Sequence, residues 1–215
     1  MYTEYKNARK ALIDRMGQYC SYCEARLPSG LAVEHVKPKK PPGATQVNQI
    51  RALSWDNFLL ACVNCNSTKG DTDVIIADYL WPDSDNTFSA FVYAEGGIVR
   101  PAQSALSPKA LNMIKLVGLD KQLDEDDASD RRWLNRKEVW DIAERARQRL
   151  VAGDTPDMRE QIVETATGHG FWSVWMTVFA QDRDMLYRFI ACLPGTSTEC
   201  FDVNCMSVIR PGGQC

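Results

Sequence analysis

Two Cys-x2-Cys pairs separated by 38 residues constrain this chain more than any other feature; they are Cys20–Cys23 and Cys62–Cys65. Zinc takes four thiolates tetrahedrally, and a Cys-x2-Cys turn presents two sulfurs to one ion. The short strands expected between the pairs bury little apolar surface, so a bound metal would supply folding free energy. A redox role needs only one such pair and a βαβ context that is missing here. The spacing therefore predicts a four-cysteine structural zinc site.

The remaining cysteines lack this spacing. We predict that they are plain buried or surface thiols, with a second metal site as the alternative; they are Cys192, Cys200, Cys205 and Cys215.

Composition places the chain among soluble globular proteins. Its 215 residues are 45% hydrophobic and 25% charged, enough for one large domain or two small ones. Residues 1–10 are polar and basic, unlike a signal peptide. The longest strongly apolar run, residues 170–180, is shorter than the roughly 20 residues of a membrane helix. We therefore expect a cytoplasmic protein with no membrane association.

Charge is divided unevenly along the chain. Residues 1–70 carry 10 Lys and Arg against 5 Asp and Glu, whereas residues 71–130 carry 4 against 12. The cysteine-framed segment is thus the basic end, as a phosphate-binding segment should be, although such a balance is also common without that role. Residues 120–130 are acidic, and we expect them to be solvated. Bulk charge does not predict a protein that coats nucleic acid, so a local groove or a partner would have to hold the substrate.

Hydrophobic patterning and turn residues predict an α+β fold. Strands are expected at residues 31–36 and 57–61, and a helix from Cys62 or Val63 that Asn64 could cap. A hairpin is expected at residues 87–99, and helices at 3–16, 107–119 (capped by Ser107), 130–150, 157–166 and twice within 171–190. This predicts a zinc-stabilised domain over residues 1–103 with an appended hairpin, followed by a helical domain over residues 104–215 that docks a partner.

Four polar residues inside the cysteine frame indicate chemistry. His35 can take a proton from water near neutral pH. Oxygens from Glu34 and Asn66 would suit a hard divalent ion such as Mg²⁺. Lys69, three residues after Asn66 on one helix face, would place a charge beside a phosphate. The alternative is a zinc ribbon that binds a partner, with His35 at the surface and Asn66 as a cap.

The combined motifs resemble the HNH nuclease family, which has a ββα-metal fold. They are Cys-x2-Cys, Glu34-His35-x2-Pro38, Trp55-Asp56-Asn57 and Cys-x2-Cys-Asn66-x2-Lys69-Gly70. The resemblance implies that His35 is the general base and that Glu34 and Asn66 bind the catalytic Mg²⁺ or Mn²⁺. It also implies that Asn57 pins the loop that positions His35. Many members have Asp where this chain has Glu34 and a final His where it has Asn66, and both residues of this chain are competent oxygen ligands.

A narrower resemblance extends to the HNH subunits of bacterial anti-phage systems of the Septu and retron-associated types. It rests on Glu34-His35-x-Lys37-Pro38-Lys39, Trp55-Asp56-Asn57-x-Leu59-Leu60, Lys69-Gly70-Asp71, Pro194-Gly195-Thr196 and Cys200-Phe201-Asp202. These systems pair the HNH subunit with a separate ATPase. The resemblance therefore implies a role in antiviral defence and an ATPase partner, with a homodimer as another assembly.

The expected function is metal-dependent phosphodiester hydrolysis, with DNA as the first expectation for the substrate. Two alternatives remain open, namely a non-catalytic zinc-ribbon interaction module and a nuclease that cleaves RNA or tRNA. The aromatic residues of the C-terminal half predict a helical core, with docking of an ATPase or a second copy as the alternative. They are Trp133, Trp140, Phe171, Trp172, Trp175 and Phe179.

Overall fold

The protein mixes helices with two small antiparallel sheets. A computed structural model describes residues 2–122 and 129–215, so residues 123–128 of the predicted acidic, solvated stretch lie outside the described residues. The strands are β1 (Ala32–His35), β2 (Phe58–Ala61), β3 (Phe91–Ala94) and β4 (Ile98–Pro101). The α-helices are α1 (Arg9–Met16), α2 (Gln49–Leu53), α3 (Val63–Lys69), α4 (Thr87–Ala90), α5 (Ser107–Val117), α6 (Arg132–Ala152), α7 (Pro156–His169), α8 (Trp172–Val178) and α9 (Arg183–Cys192).

Strands β1 and β2 pair antiparallel and lead directly into helix α3, which gives the predicted ββα unit. His35 lies opposite Phe58, and Glu34 lies opposite Leu59. Because successive side chains on a strand point to opposite faces, Glu34 and His35 leave the hairpin on different sides. The first cysteine pair joins this unit because Ser21 N–H donates to Leu60 O at 2.8 Å. Both cysteine pairs are therefore attached to the same hairpin.

Two predicted helix caps are wrong. Helix α3 is capped by Cys62, whose sulfur accepts from Cys65 N–H at 3.3 Å, whereas the Asn64 side chain donates to Asp130. Helix α5 begins at Ser107 itself, so this residue occupies the first helical turn instead of the cap. The Asn64 side chain is engaged by Asp130, a contact that the sequence does not display, whereas Ser107 differs from the prediction only in its position at the start of the helix.

The predicted hairpin at residues 87–99 is confirmed in part. Strands β3 and β4 pair antiparallel, with Val92 opposite Arg100. Residues 87–90, predicted as the start of the first strand, form helix α4 instead. The Asn86 carbonyl, directly before α4, accepts from Ser89 Oγ at 2.8 Å, a local bond that stabilises a turn over an extended chain.

The C-terminal helices pack onto the first cysteine pair. Glu24, directly after Cys23, accepts from Ser173 N–H at 2.8 Å and from Ser173 Oγ at 2.6 Å, which satisfies the start of helix α8. Gly170, at a φ of 75°, lies so close that an added Cβ would stand 2.5 Å from Glu24 O. Only glycine allows this approach, so the helical region and the cysteine pair share a tight backbone contact.

The core confirms the predicted helical packing of the aromatic residues. Phe171, Trp175 and Phe179 are buried, and Trp133, Trp140 and Trp172 are half-buried. The largest buried cluster includes residues on both sides of position 103, such as Leu59 and Trp175. The boundary at residue 103 therefore stays a prediction. A smaller cluster packs helix α1 on the hairpin through Ala8, Leu12, Leu31, Val33, Phe58 and Leu60.

Within residues 2–122 and 129–215, the helices are all too short or too polar to cross a membrane.

Candidate functional site

The four predicted cysteine ligands converge at the N-terminal end of helix α3. Their sulfur atoms all lie within 4.8 Å of one another, and all four residues are buried and free of disulfides; they are Cys20, Cys23, Cys62 and Cys65. Cys23 and Cys62 place their sulfurs 3.8 Å apart. Zinc–sulfur bonds of about 2.3 Å in a tetrahedron require sulfur separations of about 3.8 Å. The site is therefore compatible with a four-thiolate zinc ion.

Crowding of the thiols explains why this cluster needs a cation. Contacts with Cys20, Cys62 and Cys65, together with burial, raise the pKa of Cys23 well above its usual value. Four thiolates in one buried cluster would repel each other strongly in the absence of a positive charge. Among the described residues this is the one group of three or more His, Cys, Asp or Glu side chains with ligand-like spacing. The other four cysteines belong to no such group within those ranges.

Arg132, at the start of helix α6, brings a positive charge to this cluster. Its Nη1 donates to Cys65 Sγ at 2.9 Å and to Val117 O at 2.7 Å. Asp130 holds the guanidinium through two bonds, from Nε at 2.8 Å and from Nη2 at 2.6 Å, and also accepts from Asn64. This arrangement joins helices α3, α5 and α6 around the second cysteine pair, and nothing in the local sequence pattern predicted it.

Asn57 fixes the loop that follows β1. Its Oδ1 accepts from Lys37 N–H at 2.8 Å, and its Nδ2 donates to Lys37 O at 2.8 Å and to Arg51 O at 2.7 Å. The side chain is buried, so these three bonds satisfy groups that have no access to water. Asn57 thus attaches the segment after His35 to the segment before β2.

His35 is buried, and one of its two ring nitrogens is hydrogen-bonded within the described residues. Nε2 lies 3.2 Å from Ala52 O, and because a carbonyl only accepts, Nε2 carries the proton. Nδ1 has no hydrogen-bond partner among the described residues. The rings of Tyr5 and Phe58 stand edge-on to the imidazole at 5.1 and 5.2 Å. Burial, offset in part by Ala52 O, lowers the pKa of His35, and the charges of Lys39 and Lys69 lower it further, so the ring is neutral at physiological pH.

Glu34 and Lys69 form a buried ion pair on the other side of the hairpin. Glu34 is 3% exposed and Lys69 is 1% exposed, with Nζ 2.9 Å from Glu34 Oε1. Lys69 Nζ also donates to His35 O at 2.8 Å. The pKa of Glu34 is raised by burial, and the nearby ammonium of Lys69 partly reverses that shift. Lys69 therefore holds Glu34 and the His35 backbone together, and its ammonium is enclosed by the protein.

An open cleft of about 470 Å³ brings the predicted residues together. Glu34, His35 and Asn66 all line it, whereas Asn57 and Lys69 support it from behind. Asn66 is half-buried, and no hydrogen bond to its side chain is found within residues 2–122 and 129–215. Glu34 Oε1 is a buried oxygen without a directed hydrogen bond despite its contact with Lys69.

These two oxygen donors fit a hard divalent cation. A buried carboxylate oxygen without a hydrogen bond and an amide oxygen without a partner are ligands that Mg²⁺ or Mn²⁺ accepts, with water and phosphate completing the shell. A softer metal would prefer thiolate or imidazole, and the cleft offers it only His35.

Sequence reasoning missed most of the cationic and aromatic residues that complete the lining of the cleft. Tyr5, Lys6 and Arg9 line it from the N-terminal segment, together with Lys39 and Lys40 after β1. The basic character of residues 1–70 was the available signal, but it did not identify which cations face the site.

Comparison with known proteins agrees with this geometry. No curated protein matches the chain. The match is to the family described as HNH endonuclease, and it covers residues 20–72, from the first cysteine ligand to two residues beyond Gly70. This segment of the chain is an HNH endonuclease domain with a four-cysteine site.

Proposed function

We propose that this chain is a metal-dependent endonuclease that hydrolyses phosphodiester bonds of nucleic acid. The observation that carries the proposal is the convergence of Glu34, His35 and Asn66 on one open cleft, where His35 Nδ1 has no hydrogen-bond partner in the described part of the chain. The HNH endonuclease match over residues 20–72 supports it. A zinc ribbon used only for binding would not require a buried, neutral histidine beside an ion-paired carboxylate and an amide side chain that has no hydrogen-bond partner among the described residues.

His35 acts as the general base. With its proton on Nε2 and held by Ala52 O, the imidazole presents Nδ1 to a water molecule in the cleft. Nδ1 takes one proton from this water while the water oxygen forms a bond to phosphorus. The bond from phosphorus to the 3′ oxygen then breaks. The departing oxygen takes a proton from solvent. The lowered pKa of His35 keeps the base unprotonated before the reaction.

Glu34 and Asn66 would hold the divalent ion, Mg²⁺ or Mn²⁺. When bound, such an ion supplies positive charge that stabilises the scissile phosphate and the departing oxygen. Lys69 keeps Glu34 in its position through the buried ion pair, and Asn57 keeps the loop after His35 fixed. In this proposal both are positioning residues, and a direct contact of Lys69 with phosphate stays a prediction from the sequence.

The substrate and setting extend the proposal. DNA is the proposed substrate, with RNA or tRNA as the alternative that the experiment below distinguishes. The motif resemblance supports a cytoplasmic role in antiviral defence, with an ATPase subunit that docks on the helical region over residues 104–215. A homodimer is the alternative assembly.

The test uses the chain's two histidines as a matched pair. His35→Ala and His169→Ala are incubated with supercoiled plasmid DNA and with total RNA in Mg²⁺ or Mn²⁺, with and without the protein encoded by the neighbouring gene. His169 is exposed at the end of helix α7 and bonds only Thr165 O. Loss of general-base action costs about 10²–10⁴-fold in rate. We expect that loss for His35→Ala and none for His169→Ala; equal cleavage by both variants contradicts the proposal, and no cleavage by the wild-type chain under any condition favours the zinc-ribbon alternative.

A further inference from the structure

Two segments of the chain bring cations to the cleft that holds His35. Lys6 and Arg9 line it from the N-terminal segment, and Lys39 and Lys40 line it from the loop after β1. Lys6 and Arg9 precede residues 20–72, so half of this lining lies outside the segment that matches the HNH endonuclease family. The Lys6–Arg9 pair is therefore a feature of this chain that the family match does not cover.

None of these four cations has an ion-pair partner among residues 2–122 and 129–215. Two other cations of the same region are ion-paired, since Lys10 pairs with Asp14 and Arg51 pairs with Asp73. The acidic lining of the cleft is Glu34, which Lys69 already neutralises, and the exposed Asp71. Four cations around one cleft repel each other unless an anion enters, so the cleft favours a ligand with several negative charges.

Backbone geometry keeps each pair on its own wall. Residues Tyr5–Ala8 form a 3-10 helix that continues into α1, so Lys6 and Arg9, three residues apart, project from one side. Pro38 precedes Lys39 and Lys40 and restrains the chain from which they project. The cleft therefore has a helical wall and a loop wall, and His35 and Asn66 line the same cleft.

Tyr5 connects both walls to the general base. Its ring stands edge-on to His35 at 5.1 Å, and Lys39 Nζ lies 4.3 Å from the centre of the same ring. A cation over an aromatic face is attracted to it, so Lys39 is held near the Tyr5 ring. Tyr5 therefore contacts both the loop wall, through Lys39, and the imidazole of His35. A ligand bound between the walls would be aligned with His35 Nδ1.

We propose that these two walls form a clamp for the phosphate backbone of one nucleic-acid strand, with phosphates on either side of the scissile bond bound by the Lys6–Arg9 wall and the Lys39–Lys40 wall. Lysine acts toward phosphate as a point charge and reads no base edges, so binding is independent of sequence. The inference rests on the proposed nuclease function for its ligand, and it adds the N-terminal segment to the substrate site.

The test measures binding without cleavage. A fluorescein-labelled DNA duplex and an RNA strand of the same sequence are titrated with full-length chain in buffer without added Mg²⁺ or Mn²⁺. The variants are Lys6→Gln/Arg9→Gln and Lys39→Gln/Lys40→Gln. The control, Lys10→Gln/Lys137→Gln, removes the same charge from two exposed positions outside the cleft. Binding is followed by fluorescence anisotropy from about 50 to 200 mM salt.

Each phosphate contact contributes about 0.9 to the slope of log affinity against log salt on duplex DNA. Each wall variant should therefore lower that slope by about 2 and weaken binding about tenfold at 50 mM salt. The control should shift both quantities much less. The probe whose affinity falls more in the wall variants, DNA or RNA, identifies the kind of backbone that the clamp binds. Wall variants that bind like the control, or a wild-type chain that binds neither probe, would overturn the clamp.

Failure of the clamp is distinguishable from failure of the nuclease. If wild type cleaves and His35→Ala does not, yet the wall variants bind normally, the clamp is wrong and the nuclease stands. If the wall variants lose binding but no condition gives cleavage, the clamp stands as a binding site and the nuclease proposal fails. With both correct, the wall variants cleave and raise KM more than the control does.

Discussion

The two ends of helix α3 carry the two halves of the site, and they differ in how completely their polar groups are satisfied. At the N-terminal end, Cys62 and Cys65 are buried with two further cysteines, and Cys65 receives a hydrogen bond from Arg132. Toward the C-terminal end, Asn66 has no side-chain partner among the described residues, and Glu34 Oε1 beside Lys69 has no directed hydrogen bond. One end is closed by the protein itself, whereas the other is left open toward a cleft.

This difference indicates how one short helix can serve two roles. A helix of seven residues has little stability alone, so tertiary contacts must hold it in place. The closed end provides those contacts through the cysteine cluster and the Asp130–Arg132 pair. Residues at the open end are then free to keep unsatisfied oxygen atoms, which are costly in an isolated protein but favourable for binding a ligand. The following variants test this division, in order of decreasing effect.

Cys65→Ser should have the largest effect, because it removes a ligand at the closed end. Structural zinc contributes about 10–16 kcal/mol of apparent binding free energy in small zinc domains. We expect the variant to lose zinc, measured by elemental analysis, and to unfold at a much lower temperature. Cys192→Ser, at a half-buried thiol outside the cluster, is the control and should keep both its zinc and its thermal stability. Equal zinc content in the two variants would show that the closed end does not depend on metal.

Lys69→Met should have the next largest effect, through Glu34. Removing one partner of a buried ion pair leaves an uncompensated charge and costs about 3–5 kcal/mol. The free energy of unfolding is measured with urea at neutral pH. The double variant Glu34→Gln/Lys69→Met removes both charges and should recover part of the loss, but not activity. If Lys69→Met alone is as stable as wild type, the ion pair is not buried as described.

The sequence predicted the parts of this site that follow from local pattern. The two Cys-x2-Cys pairs, the strand that ends at His35 and the helix after Cys62 all carry signals within a few residues. The predicted cap at Asn64 was wrong because its side chain bonds Asp130, which is distant in sequence. The brace from Arg132 to Cys65 likewise joins residues 67 positions apart. Helix α2 was not predicted, although it supplies the Arg51 carbonyl that holds Asn57. Such contacts depend on tertiary packing, which no local spacing encodes.

Arg132→Met tests the brace itself and should have an intermediate effect. The substitution leaves Val117 O without its donor in a buried setting, which costs about 1–3 kcal/mol. It also removes the N–H donor to Cys65 Sγ, and loss of such outer contacts weakens metal binding about 10–100-fold. We expect faster zinc release to a chromogenic chelator and lower thermal stability. Arg132→Lys keeps the charge without the forked geometry and should lie between wild type and Arg132→Met. If Arg132→Met releases zinc at the wild-type rate, the hydrogen bond from Arg132 to Cys65 does not stabilise metal binding.

Asp130→Asn should have the smallest effect, and its pH dependence separates charge from geometry. The hydrogen bonds from Arg132 lower the pKa of Asp130 in the folded state. A carboxylate with a depressed pKa contributes stability above its unfolded pKa of about 3.9 and loses it as the pH falls through the folded value. Because Asp130 is partly exposed, we expect a cost of about 0.2–1 kcal/mol. The difference in unfolding free energy between Asp130→Asn and wild type should therefore be constant from about pH 5 to 8. A difference that changes within that window would mean that Asp130 is not held ionised by Arg132, and that the closed end is braced by packing alone.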